Sequence, residues 1–270
     1  MSRQYYYLVT SLPTLRLDDY KEPYRVQEFM AQLLQHADAA DSQAAREVLG
    51  LYDHGTIIDA VTGRSAPWSN LTGNWTPAEI RAQLADAEFP WDSYLRDFLA
   101  EVSVRRQQAE PLNRAQIEQI LLTYYYRRMS AHANRFIREY FTFEVTLRNV
   151  LAAVNRRKFS AGYTELIPSG EESLREKLQS AAQADFGLSR EIEYLPEILA
   201  LAENPDLLHG QKFLDGLRWE MIDRINTFSY FSIDVLLGYL LKLMMVERWI
   251  ALDEQHGKEL FEARAAVAAI

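Results

Sequence analysis

The chain has 270 residues, 48% of them hydrophobic and 25% charged, with a net charge of -9 and no cysteine. This is ordinary globular composition, long enough to bury a large core in one helical domain or two smaller lobes. It excludes disulfides and thiolate metal sites, argues against nucleic acid as the main partner, and favours a reducing, cytoplasmic home.

The opening MSRQYYYLVTSLP has too short an apolar stretch for a signal peptide and no small-residue cleavage site. Tyr5 to Thr10 reads as a short strand or as a buried helical turn, and periodicity does not choose between them. From Arg25 the pattern is helical, with Val26, Phe29, Met30, Leu33 and Leu34 on one face. A second short helix is expected over Asp41 to Leu51. Residues 52–74 are rich in Gly, Ser, Thr and Asn, and they read as a long functional connection or as a hairpin built on IIDAVTG.

Helix starts after that segment carry clear signals. Thr76, Pro77 and Glu79 make a capping box for a helix to about Glu88. Trp91 to Gln107 follows as another helix. Asn113 with Gln116 is a second capping box. From Arg114 to Lys158 there is neither proline nor glycine, which predicts one helix of about 67 Å at ~1.5 Å per residue. Leu122, Tyr126, Met129, Ala133, Phe136, Tyr140, Phe143, Leu147, Val150 and Val154 fall at alternating spacings of 4 and 3 along it. This is a coiled-coil-like seam that another helix must cover. Beyond it, Ser169 and Glu172 start a helix ending at Gly187. Ser189 caps a helix that Pro196 kinks or splits, and Asn204 with Pro205 starts the next. Ser232 caps a final helix to about His256, apolar on nearly every side and therefore surrounded by protein. Val235 to Val246 is only about half the ~20 residues that span a bilayer, so no membrane insertion is expected. The expected division is an N-terminal helical part over residues 1–158 and a C-terminal bundle over residues 159–270.

Charge is unevenly spread. Arg114 to Lys158 holds nine basic and three acidic side chains between acidic flanks. Glu144 is placed to pair with Arg148 one turn on. Arg127, Arg128, Arg135 and Arg138 lie mostly off the seam. They form either a plain solvated face or a docking strip for an acidic partner. Trp68 and Trp75, in the irregular segment, are the aromatic candidates for partner contact.

Catalytic signatures are missing from the sequence. No GxxxxGK or GxGxxG cradles a phosphate, no HExxH or paired ExxH holds a metal, and no GxSxG presents a nucleophile. DFG at Asp185 to Gly187 stands without the other kinase elements and reads as a helix end. No catalytic, cofactor or metal residue is assigned. A hidden active site, formed by groups distant in sequence, stays open as a less favoured alternative.

Two segments resemble known proteins. The opening YYYLVTSLPTL is similar to the start of a bacterial family linked with V-type ATPase genes. Residues 226–258, NTFSYFSIDVLLGYLLKLMMVERWIALDEQHGK, resemble the last helix of the C-type (d-type) connector family of V/A-type ATPases. The matching positions are Phe231 and Ser232, Tyr239 and Leu240, Glu247, and Lys258. The resemblance implies an all-α, funnel-like bundle of long helices that links the central stalk to the membrane rotor ring without an active site or cofactor. It would lie in the cytoplasm, peripheral to the inner membrane through its complex. A generic helical adaptor with a different partner is the alternative.

Overall fold

The computed structural model describes residues 4–19, 24–63, 73–86, 89, 91–108, 112–159, 166–168, 172–180, 182–203 and 206–268. Every regular element among them is helical, so the chain is an all-α bundle. It divides into two compact units. One joins residues 1–85 to residues 222–270, and the other is residues 86–221. The two ends of the chain therefore fold together, in place of a split near residue 159.

The first unit contains α1 (Tyr6–Ser11), α2 (Val26–His36), α3 (Ala39–Leu49), a 3-10 turn (Gly50–Tyr52), α4 (Asp53–Thr62), α5 (Pro77–Ala85) and α12 (Ile233–Ala268). The aromatic opening is a helical turn and not a strand. The segment expected to be irregular starts with a helix, α4, closed by Gly63 at φ +71°. Residues 64–72, including Trp68, lie outside the described residues. Helix α12 packs against α2 and α3. It buries Leu236, Leu237, Leu240, Leu241, Leu243 and Val246 on several sides, which is why its sequence shows no polar face. It continues to Ala268, beyond the expected end near His256. Phe29 of α2 meets Tyr239 with ring centroids 5.1 Å apart.

The second unit contains α6 (Ser93–Gln107), α7 (Arg114–Ser130), α8 (Arg135–Phe159), α9 (Glu172–Ser180), α10 (Leu195–Glu203) and most of α11 (Leu207–Asn226). The long helix expected over residues 114–158 is two helices, and α8 packs on α7. No proline or glycine breaks it; side chains do. His132 Nδ1 accepts the Asn134 N–H at 2.9 Å, and Asn134 Oδ1 accepts the Ile137 N–H at 2.9 Å, capping α8. Arg138 donates to the carbonyls of His132 and Ala133. The heptad seam is real as a buried stripe, but it belongs to two helices that cover one another. Ala133, counted in the seam, is exposed.

Both capping boxes form as expected. Thr76 and Glu79 exchange bonds at the start of α5, and Asn113 and Gln116 at the start of α7. Helix α9 ends at Ser180, short of Gly187, and Pro196 sits in the first turn of α10 and does not kink it. Asp206 caps α11 by accepting the His209 N–H at 3.0 Å.

Candidate functional site

Helix α1 is pinned from one side. Tyr5 and Leu8 are buried. The Tyr5 hydroxyl donates to Asp41 of α3, and the Tyr5 N–H donates to the Phe231 carbonyl at 2.6 Å. With residues 5 and 8 inward, Tyr6 and Tyr7 must point elsewhere. The turn between α11 and α12 is fixed in its own right. The Ser229 N–H reaches the Asn226 carbonyl at 2.9 Å, and Asn226 Nδ2 reaches the Asp234 carbonyl at 3.0 Å. The Tyr6 and Phe231 rings lie 4.4 Å apart and join the two segments. Together they hold four large aromatics on the surface: Tyr6 is 58% exposed, Tyr7 77%, Phe228 88% and Tyr230 67%. Rigidly held aromatics facing water are the composition of interface hot spots, because burying them against a partner removes much apolar area from water.

The four arginines expected to form a strip gather instead around the α7–α8 turn. Arg127 and Arg128 stand exposed in the last turn of α7, and Arg127 lies 5.6 Å from the Tyr124 ring centroid. Arg135 pairs with Glu139 at 2.7 Å, and Arg138 is tied to the carbonyls of the turn. The result is a cationic corner on the second unit. Trp75 is half-buried, and its backbone N–H donates to Asp53 at 3.3 Å.

Two buried polar clusters complete the inventory. In the second unit Glu144 does not pair with Arg148 as its spacing suggests. Arg218 of α11 reaches Glu144 Oε1 at 2.6 Å and Asp215 at 3.0 Å, and the Tyr140 hydroxyl donates to Glu144 at 3.1 Å. Burial, with Glu144 adjacent, pushes the Tyr140 hydroxyl well above its usual range. In the first unit Asp53 accepts the Asn74 N–H at 3.0 Å, Asn74 Nδ2 at 2.8 Å and the Trp75 N–H. A Cβ at Gly73 would lie 2.1 Å from Asp53, so the close approach needs glycine there. Burial raises the Asp53 carboxyl to about 6, with the Asn74 and Trp75 donors opposing. Among the described residues no group of three or more His, Asp or Glu is placed to hold a metal, and no helix is long and apolar enough to cross a membrane.

Sequence reasoning passed over Tyr6, Tyr7, Phe228 and Tyr230 as contact residues. The signal was in the opening itself: three consecutive tyrosines on one helix cannot all face one core.

Comparison with known proteins gives a family and no activity. Residues 1–266 match the family described as Protein of unknown function (DUF2764). An uncharacterized protein of Chlamydia muridarum (strain MoPn / Nigg) is 22% identical over 261 residues, covering 94% of this chain and 95% of the relative. No solved structure matches.

Proposed function

We propose that this chain, which belongs to the DUF2764 family, is a non-catalytic connector of a V/A-type rotary ATPase that links the central stalk to the membrane rotor ring. The observation that carries the reading is the set of exposed aromatics Tyr6, Tyr7, Phe228 and Tyr230, on two segments that the Tyr5–Phe231 hydrogen bond joins. It is assembled from the same two segments, YYYLVTSLPTL and NTFSYFS, that resemble V-type ATPase-associated proteins.

A connector needs two neighbours, and the molecule offers two surfaces of different chemistry. The aromatic patch on the first unit suits apolar contact. The corner of Arg127, Arg128, Arg135 and Arg138 on the second unit suits an acidic surface. In this reading the protein works in the cytoplasm, peripheral to the inner membrane through its complex, and needs no cofactor. A generic helical adaptor would use the same two surfaces with other partners.

The test is capture by two baits: the central-stalk pair, and detergent-solubilised rotor ring from the same organism. Serine at Tyr7 and Phe228 should abolish capture by one bait. Glutamate at the four arginines should abolish capture by the other, in a salt-sensitive manner. Capture of both baits by both folded variants would assign the contacts to other surfaces and remove the support for this reading.

A further inference from the structure

In the second unit the C-terminal end of α8, the turn at residues 184–186 and α10 border a cleft of about 510 Å3. We infer that this cleft is a binding site for a single-chain carboxylate amphiphile, with the hydrocarbon chain inside and the carboxylate at a rim formed by Arg157 and Lys158.

The argument starts from the walls, which are apolar. Val154 of α8, Phe186 of the turn and Leu199 and Ala202 of α10 line the cleft, and the same four side chains belong to the hydrophobic core of the unit. The cleft is thus an opening in the core, where water finds few hydrogen-bond partners and an apolar chain is the better occupant. Ala184, Ala200 and Ala202 keep it open, since larger apolar side chains there would narrow it. Its volume lies within the ~300–1,000 Å3 of small-molecule sites. At ~30 Å3 per water it equals about seventeen waters, so one chain of about ten carbons fits and a two-chain lipid does not. The floor is held in an uncommon backbone state: Phe186 has φ +56°, the left-handed region that bulky residues rarely adopt.

The rim supplies the charge. Arg157 and Lys158 are adjacent in the last turn of α8, and both are exposed. The Arg157 guanidinium carbon lies 3.5 Å from the Phe186 ring centroid, and its Nη1 donates to the carbonyls of Gln183 and Ala184. Those partners are neutral, so they fix the position of the cation without cancelling its charge. Lys158 faces Glu203 across the cleft at 4.0 Å, and the Glu203 side chain is 85% exposed. So long and wet a pair contributes little. A carboxylate brought in by an apolar chain therefore takes the place of Glu203 beside Lys158 at small cost, and Arg157 stands next to it.

Isothermal titration of the full chain with decanoate below its micelle concentration, at constant ionic strength, tests the site. Decanol serves as the neutral counterpart. The expected result is saturable binding of one decanoate per chain, with a Kd of about 0.1 mM or tighter. Ala200→Trp should weaken it at least about tenfold by filling the cleft from an exposed position. Lys158→Met, also at an exposed position, should weaken decanoate about fivefold and leave decanol unchanged. No saturable decanoate binding to the wild type, or unchanged binding in Ala200→Trp, would overturn the site. Decanoate binding unchanged in Lys158→Met, or decanol bound as tightly as decanoate, would overturn the carboxylate assignment and leave an apolar cleft that a partner's side chain fills.

Discussion

Asp53 sits at the start of α4 with its carboxyl buried and bonded to Asn74 and Trp75. Its folded value of about 6 exceeds the ordinary 3.8. Below the ordinary value the group is protonated in both folded and unfolded chains and contributes no pH dependence. Between about 4 and 6 the unfolded chain ionises first while the folded protein keeps its proton, so stability falls as pH rises. Above 6 a constant penalty remains, about 3 kcal/mol at ~1.36 kcal/mol per pH unit. Asp53→Asn removes this term. Urea unfolding at pH 4 and pH 7 should show the wild type losing roughly 2 kcal/mol relative to the variant as pH rises, since at pH 4 the unfolded carboxyl is already partly ionised. A difference that stays constant with pH would mean that the carboxyl is not desolvated as described.

Arg218 is the other residue on which much rests. It holds two carboxylates, Glu144 and Asp215, both buried. Arg218→Met keeps most of the stem and removes the positive charge that the two acids share. The expected loss is about 3–5 kcal/mol in chemical denaturation, because stranding a buried charge costs more than an ion pair contributes net. A loss below about 1 kcal/mol would indicate that water already solvates the acids.

At the scale of elements, the helix pair α7 and α8 separates what sequence conveys from what it withholds. The buried stripe was legible: Tyr126, Met129, Phe136, Tyr140, Leu147 and Val150 are all buried. The break was not, because His132 and Asn134 end one helix and begin another through side-chain bonds. A histidine and an asparagine at those positions also fit a continuous helix. The capping boxes at Thr76 and Asn113 were legible for the opposite reason, since each is a local exchange of bonds spanning four residues. Arg218 taking Glu144 from Arg148 lies 74 residues away in sequence, and no local spacing announces it. Ala133→Pro tests the break. Residue 133 is exposed in the turn, so proline there should change stability by no more than about 1 kcal/mol. One continuous helix would instead lose ~3 kcal/mol or more, seen as a clear drop in melting temperature.

At the scale of the whole molecule, the chain joins its two ends in one unit and builds the other from its middle. The first unit carries the aromatic patch, and the second carries the arginine corner. The all-α class was plain from periodicity. The patch was hidden because it needs α1 and the 227–232 turn together, held by the bond from Tyr5 to the Phe231 carbonyl. The connector reading stands on these surfaces facing different neighbours. The measurement that tests it most directly is a pull-down of tagged protein with the central-stalk pair and, separately, with solubilised rotor ring from the same organism. The account predicts stoichiometric capture of both, one lost in the Tyr7 and Phe228 serine variant and the other lost in the arginine reversal. Capture of neither bait by folded, monodisperse protein would contradict it.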